Sequence, residues 1–276
     1  MQGMVRPLVL TLITGLIAAL VLFPVYWMIV TATVPSHIVL SRNPPLVPHL
    51  ADMNLAAFAG VMARRPVLQW LANSLLVASA SVALSLVIAT LAGYSLSRFR
   101  SAAQELSGMA LLVSKMLPGS LIVIPFYIMA ANANLIDNRL ALVIANTSVG
   151  VPFATWMMKG FFDGIPADLD AAARIDGCSR LQALRYVVLP AARPGLAASA
   201  IYLFIVSWAD FVFARTLVTD PRLWTVTTGL ASFVGEHNVD WPGLMAAGTL
   251  SMLPVFVLFL LLEPWLVSGM SAGAVK

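Results

Sequence analysis

The sequence predicts an all-α integral membrane protein with six transmembrane helices. Three observations carry that prediction. The 276 residues are 60% hydrophobic and only 10% charged, with a mean hydropathy of +0.91. A soluble domain of this length needs far more charge to cover its surface. Six apolar runs are long enough to cross ~30 Å of hydrocarbon, which takes about 20 residues at 1.5 Å each. The runs are continuous rather than alternating, so they indicate helices and not a barrel.

The spans fall at about 8–31, 69–96, 107–131, 140–158, 195–218 and 243–267, within a single transmembrane domain covering residues 1–276. The first is too long for a signal-peptide core and no small-residue cleavage site follows it, so it is expected to be a retained anchor. Positive charge sets the orientation. With the N-terminus inside, Arg6, Arg98, Arg100, Lys159, Arg174, Arg180, Arg185, Arg193 and Lys276 lie in the cytoplasm. Arg42, Arg64, Arg65, Arg139, Arg215 and Arg222 then lie outside, and Lys115 falls within a span. The excess favours N-in and C-in. Basic residues at membrane edges account for the net charge of +4 without nucleic acid. The single cysteine, Cys178, falls on the cytoplasmic side and reads as a reduced structural thiol.

The first external loop, about 32–66, holds prolines 44, 45 and 48, which make an extended stretch, followed by a weakly amphipathic segment. The second, about 219–242, carries Trp224 and Trp241 as expected interfacial anchors. Pro118, Pro125, Pro152 and Pro254 lie inside spans, where each removes a backbone donor and favours a kink.

The longest internal connection, 159–194, is punctuated as two helices. Pro166 suits a first turn, and Asp168 and Asp170 favour the positive end of a helix. Leu169, Ala172, Ala173 and Ile175 form a narrow apolar stripe, and Gly177 is a stop signal. Ser179 begins a second helix with Gln182 as its capping-box partner. Leu181, Leu184 and Val188 share a face, and Pro190 ends or kinks the helix. The run Ala171, Ala172, Ala173 lets another surface approach the backbone closely, which fits either docking into a partner's groove or capping of the bundle.

Charged groups inside spans are functional suspects, because each costs about 2.5–3.5 kcal/mol to insert. Asp210, flanked by Trp208 and Phe211, offers a carboxylate and aromatic faces suited to a solute pathway or a gate; pairing with a second subunit and a purely structural role are the alternatives. Lys115 is expected to snorkel toward the cytoplasmic edge. No catalytic or metal-ligand set is legible. The Gly-x-Ser-Gly motif of a rhomboid-like protease and an HExxH motif are both missing, and His37, His49 and His237 fall in external loops.

The stretch GFFDGIPADLDAAARIDGCSRLQALRYVVLP resembles the EAA loop of ABC-importer permeases. Ala172, Ala173, Asp176, Gly177, Val187, Leu189 and Pro190 stand in register with that motif. The family glutamate aligns with Ala171, so the acid is missing there, and Asp170 stands one residue earlier. WLANSLLVA, AGYSLSRFR, LPGSLIVIPFY, VSWADFVFA and VSGMSAGAVK resemble the carbohydrate-uptake branch, the maltose-permease second-subunit type, over nearly the whole chain.

The resemblance implies a cytoplasmic coupling helix that docks on an ATPase subunit through Asp170, Ala171, Ala172, Ala173, Asp176, Gly177, Leu189 and Pro190. It also implies a tail, 268–276, reaching between ATPase subunits with Ala272, Gly273 and Ala274. The implied partners are a second homologous permease, two ATPase subunits that carry ATP and Mg, an extracytoplasmic sugar-binding protein or lipoprotein, and the bilayer. This chain itself would bind no cofactor. A Walker A loop needs Gly-Lys-Ser/Thr, whereas the three lysines follow Ser114, Met158 and Val275. The expected cargo is a disaccharide or oligosaccharide of the trehalose or maltose type. The alternatives are a glycerol-phosphate-type polyol ester or, outside this class, a channel or secondary carrier.

Overall fold

The computed structural model describes the backbone of residues 2–39, 41–235 and 239–274, and side chains for 9–39, 41–49, 51–235 and 239–266. His237 and Lys276, singled out in the sequence, lie outside these residues. In chain order the helices are α1 Gln2–Thr33, α2 Ser36–Val39, α3 Ala56–Arg64, α4 Val67–Arg98, α5 Ala102–Ser114, α6 Gly119–Asn132 and α7 Arg139–Asp163. They continue with α8 Asp168–Ile175, α9 Arg180–Ala183, α10 Leu189–Ala191, α11 Arg193–Trp208, α12 Val212–Leu217, α13 Val226–Ala231 and α14 Trp241–Ala274. Among the described residues β pairing is limited to one bridge, Val234 with Val239.

Four helices are long and apolar enough to cross a membrane: Val9–Thr33, Val67–Arg98, Arg139–Asp163 and Trp241–Leu266. Two bent pairs pass the same test together, Ala102–Ser114 with Gly119–Asn132 and Arg180–Ala191 with Arg193–Trp208, bent by 102° and 82°. The chain is therefore a multi-pass membrane protein with between four and six crossings by length and composition.

Two of the expected continuous spans are broken, each for a local reason. The third breaks after Ser114, because Pro118 cannot donate to the preceding turn and stands as the N-cap of α6 with extended backbone. Pro125, Pro152 and Pro254 stay inside helices. The fifth breaks after Trp208, because the Asp210 carboxylate takes the amides of Phe213 (3.2 Å) and Ala214 (3.1 Å) and starts α12 afresh. An aspartate that finds backbone donors nearby competes with the continuing helix in this way.

The chain divides into two compact units, Met1–Leu68 with Gly229–Leu253, and Gln69–Thr228 with Pro254–Lys276. In the first unit, the end of α1 is tied to the following loop. Tyr26 donates to the carbonyl of Leu46 at 2.7 Å and Asn54 N to that of Thr33 at 2.7 Å. Arg65 donates to Ser232 Oγ at 3.0 Å and lies 4.9 Å from the centre of the Phe233 ring.

In the second unit α7 is the central helix, with 56% of its most apolar stretch buried. Tyr202 of α11 packs on Phe153 with ring centres 4.3 Å apart, and Trp156 donates to the Gly108 carbonyl of α5 at 3.2 Å. Helix α4 crosses α7 at Gly93, where a Cβ would lie 2.9 Å from both Lys159 N and Met158 Cβ. Small residues at such crossings let backbones approach in lipid, where no hydrophobic drive pulls helices together. The far end of α7 packs Leu142 against Phe213 and Leu217, and the near end packs Met158 and Phe162 against Val188 and Leu203.

The 219–228 segment is not a free external loop. Asn73 donates to the carbonyls of Arg222 (3.0 Å) and Trp224 (2.9 Å), and Ser74 Oγ accepts from Val226 N at 2.8 Å. Trp224, expected as an interfacial anchor, is drawn instead against Trp70, with ring centres 6.2 Å apart. Trp241 remains exposed at the start of α14.

Candidate functional site

The segment from Ile165 to Pro190 is built from local signals that agree with one another. Helix α8 opens on Asp168 and Asp170 and ends at Gly177, whose φ is +92°. The Gly177 amide bonds back to the Arg174 carbonyl at 3.1 Å and the Cys178 amide to that of Ala173 at 3.0 Å. These are the two hydrogen bonds of a Schellman stop. Ser179 and Gln182 then form the reciprocal capping box, with Ser179 N donating to Gln182 Oε1 at 2.7 Å and Gln182 N to Ser179 Oγ at 3.3 Å.

Helix α8 is held to the rest of its unit by its inner face. Arg98, the last residue of α4, donates through Nε to Asp170 at 2.8 Å, and Tyr94 donates its hydroxyl proton to the other oxygen at 2.5 Å. The same guanidinium reaches the carbonyls of Phe162 (3.0 Å) and Ile165 (2.9 Å). Both members of the ion pair are largely shielded, with side chains 12% and 13% exposed. One side chain therefore binds α4, the end of α7 and α8 into a single joint. Ala173, on the same face as Asp170, is also buried.

The opposite face carries Asp168, Ala171, Ala172 and Ile175, at the i, i+3, i+4, i+7 spacing of one helix face. All four are exposed, and Ile175 stands out at 87% exposure. The expected stripe is thus split: Ala173 faces in, while Ala172 and Ile175 face out. The Asp170 carboxylate is consumed within this chain, so its part here is to hold α8 and not to present charge to a partner. Asp176 is the exposed C-cap.

The second helix departs from expectation. Leu184–Val188 form a π turn between α9 and α10. Pro190 has no N–H to give the preceding turn, and the ladder widens just ahead of it. Leu184 and Val188 are buried, but Leu181 is 65% exposed, so the three do not share one buried face. Leu189 packs partly buried against the Phe162 cluster, and Pro190 lies at the exposed bend before α11.

The family of binding-protein-dependent transport system inner membrane components matches residues 12–272. The chain belongs to this family.

Relatives of this transport component agree over most of its length. The maltodextrin transport system permease protein of Bacillus subtilis is 37% identical over 76% of each chain. The trehalose/maltose transport system permease protein of Thermococcus litoralis is 32% identical over 95% of this chain and 94% of its own. Among solved structures, a chain of a bacterial ABC transporter involved in import of the acidic polysaccharide alginate superposes with a TM-score of 0.80. That match covers 94% of this chain and 96% of the other at 21% identity, and it establishes the shared fold.

The other predicted site residues of this transport component are not gathered into one constellation. Trp208 is buried and stacked on Phe204 with ring centres 5.3 Å apart, whereas Phe211 is 42% exposed. Asp210, between them, caps α12, and its carbonyl accepts from Thr227 Oγ1 at 2.5 Å. Ala272, Gly273 and Ala274 are backbone of the last turn of α14, and their side chains lie outside the described residues. The residues that sequence reasoning missed are Arg98 and Tyr94. The signals for them were an arginine closing a long apolar helix and the stretch AGYSLSRFR that contains both.

Proposed function

We propose that this chain is a permease subunit of an ATP-driven sugar importer in a bacterial plasma membrane, with six crossings and both termini in the cytoplasm. It pairs with a second homologous permease to form the pathway. Two ATPase subunits bind inside, and an extracytoplasmic binding protein or lipoprotein delivers the solute. The similarity to maltodextrin and trehalose/maltose permeases supports a disaccharide or oligosaccharide as cargo.

The joint at Arg98 is the observation that carries the mechanical reading. The shielded ion pair ties α8 firmly to α4, which transmission of a force requires. With the pair in place, a force on the outer face of α8 passes to α4 and to the end of α7 together. ATP-driven closure of the ATPase pair then pulls on Ala171, Ala172 and Ile175 and biases the two-state equilibrium of the spans, while the loaded binding protein biases it from outside. Gly177, Leu189 and Pro190 shape the return of the chain into α11. Ala272, Gly273 and Ala274 reach between the ATPase subunits. Asp210, at the break of the fifth span, acts with Trp208 and Phe211 as pathway or gate.

The test is reconstitution of the full assembly in liposomes with a panel of sugars. Stimulation of ATP turnover by maltose-type or trehalose-type sugars, together with uptake, is the expected result. An isolated chain that moves sugar without an ATPase subunit would refute the reading.

A further inference from the structure

The break between α5 and α6 opens a cleft of about 690 Å³ against α7. Its lining includes Lys115 at the break, Phe126 and Pro125 of α6, and Ser148 and Pro152 of α7. Lys115, expected from the sequence to snorkel from within the third span toward the cytoplasmic edge, stands at the break, and a charge within a span calls for a partner. Among the described residues it has no ion pair, and four acids of its own unit are engaged elsewhere. Asp170 is bound to Arg98, Asp163 to Lys159, Asp220 to Arg222, and Asp210 to the amides of α12. Lys115 is itself exposed, as are Ser114 and Ser148. Phe126 is held edge-on by Phe213 at 5.4 Å and shows part of its ring to the cleft.

An ammonium with three donors, a hydroxyl and an aromatic ring on one wall suit a polyhydroxylated solute. The donor meets ring and hydroxyl oxygens, and the aromatic face receives the apolar C–H side of a sugar. Transporters place such sites at discontinuous helices, because irregular backbone within a membrane is tolerated only where protein or a cavity covers it. We propose that the α5–α6 break is a cargo-contact site of the pathway, with Lys115 as the donor to saccharide oxygens and Phe126 as the ring beside it. This rests on the importer reading above.

Two measurements on the reconstituted assembly test it, in a Cys178→Ser background whose uptake is established first. Lys115→Cys is treated with a charged, membrane-impermeant thiol reagent, with and without trapped nucleotide. Modification that changes at least several-fold between the two states is expected. Lys115→Met is expected to raise the sugar concentration for half-maximal uptake about tenfold while Lys115→Arg stays within about threefold of the parent, the scale of one lost hydrogen bond to a charged donor. No modification in either state, with uptake by Lys115→Met unchanged, places the residue against lipid and overturns the proposal. Uptake by the parent assembly that persists unchanged when the ATPase subunits are left out would instead strike at the importer reading, whatever the Lys115 variants do.

Discussion

Arg98 and Asp170 stand 72 residues apart in sequence and 2.8 Å apart in space, joining the end of α4 to α8. Removing one member of a shielded pair leaves the other charge uncompensated. For a pair this little exposed the expected loss is about 2–4 kcal/mol, somewhat less than for a fully buried one. Asp170→Ala should therefore lower thermal stability in detergent and reduce sugar uptake per ATP hydrolysed. Replacing both members, Arg98→Met with Asp170→Leu, should recover much of the stability and not the coupling. Equal uptake per ATP in Asp170→Ala and the parent would show that the joint transmits nothing.

Gly177 has nothing within 4 Å of where a Cβ would stand, so a substitution there meets no steric clash. Its φ of +92° is nonetheless a conformation that L side chains rarely adopt. Gly177→Val should cost about 1–3 kcal/mol locally, loosen the Schellman stop, and separate ATP hydrolysis from uptake. Gly177→Asn, which tolerates positive φ better, should keep more of the coupling. Comparing the ratio of uptake to hydrolysis in the two variants checks the ordering.

The crossing of α4 over α7 has no room for a side chain at position 93. Gly93→Leu should push the helices apart, lower the melting temperature in detergent by several degrees and weaken the Arg98 joint one turn further along α4. Hydrogen exchange across 94–98 should rise in that variant. Unchanged exchange would mean that the two sites are mechanically separate.

Asp137 lies in the tight connection between α6 and α7, with a φ of +55°. Its carboxylate accepts from Thr219 N (2.6 Å), Thr219 Oγ1 (2.7 Å) and Asp220 N (2.9 Å). Those hydrogen bonds, led by the Asp220 amide, hold it below the ordinary aspartate value of 3.8. A depressed carboxylate contributes stability that is fully present above its unfolded value and is lost as pH falls through its lower folded value. Protection of the Thr219 and Asp220 amides should therefore persist at neutral pH and fade only below about pH 4. Asp137→Asn should abolish most of that pH dependence, read by hydrogen exchange.

The segment from Ile165 to Pro190 was legible because its signals are local. Gly177, Ser179 with Gln182, and Pro190 each act within a few residues, and each marks a stop, a start or a bend where the structure has one. What lay beyond reach was non-local or depended on competition. Nothing in the neighbourhood of Asp170 announces Arg98, and nothing in 219–228 announces that the Asn73 amide will draw its carbonyls inward. The split of the α8 stripe follows from Asp170 choosing the inner face, which helical periodicity alone leaves undecided. The break at Asp210 turns on whether a carboxylate prefers two backbone amides to a continuing helix, and apolar run length carries no information on that choice.

The claim on which the rest depends is that the outer face of α8 is gripped by a cytoplasmic ATPase subunit. Ile175, 87% exposed at the C-terminal end of that face, is the position to probe. Ile175→Cys in a Cys178→Ser background, crosslinked in membranes holding the whole assembly, should join this chain to the ATPase subunit with a yield that changes when ATP is trapped. Labelling of Ile175→Cys from the outer face of the membrane, with no adduct to an ATPase subunit in any nucleotide state, would contradict the account.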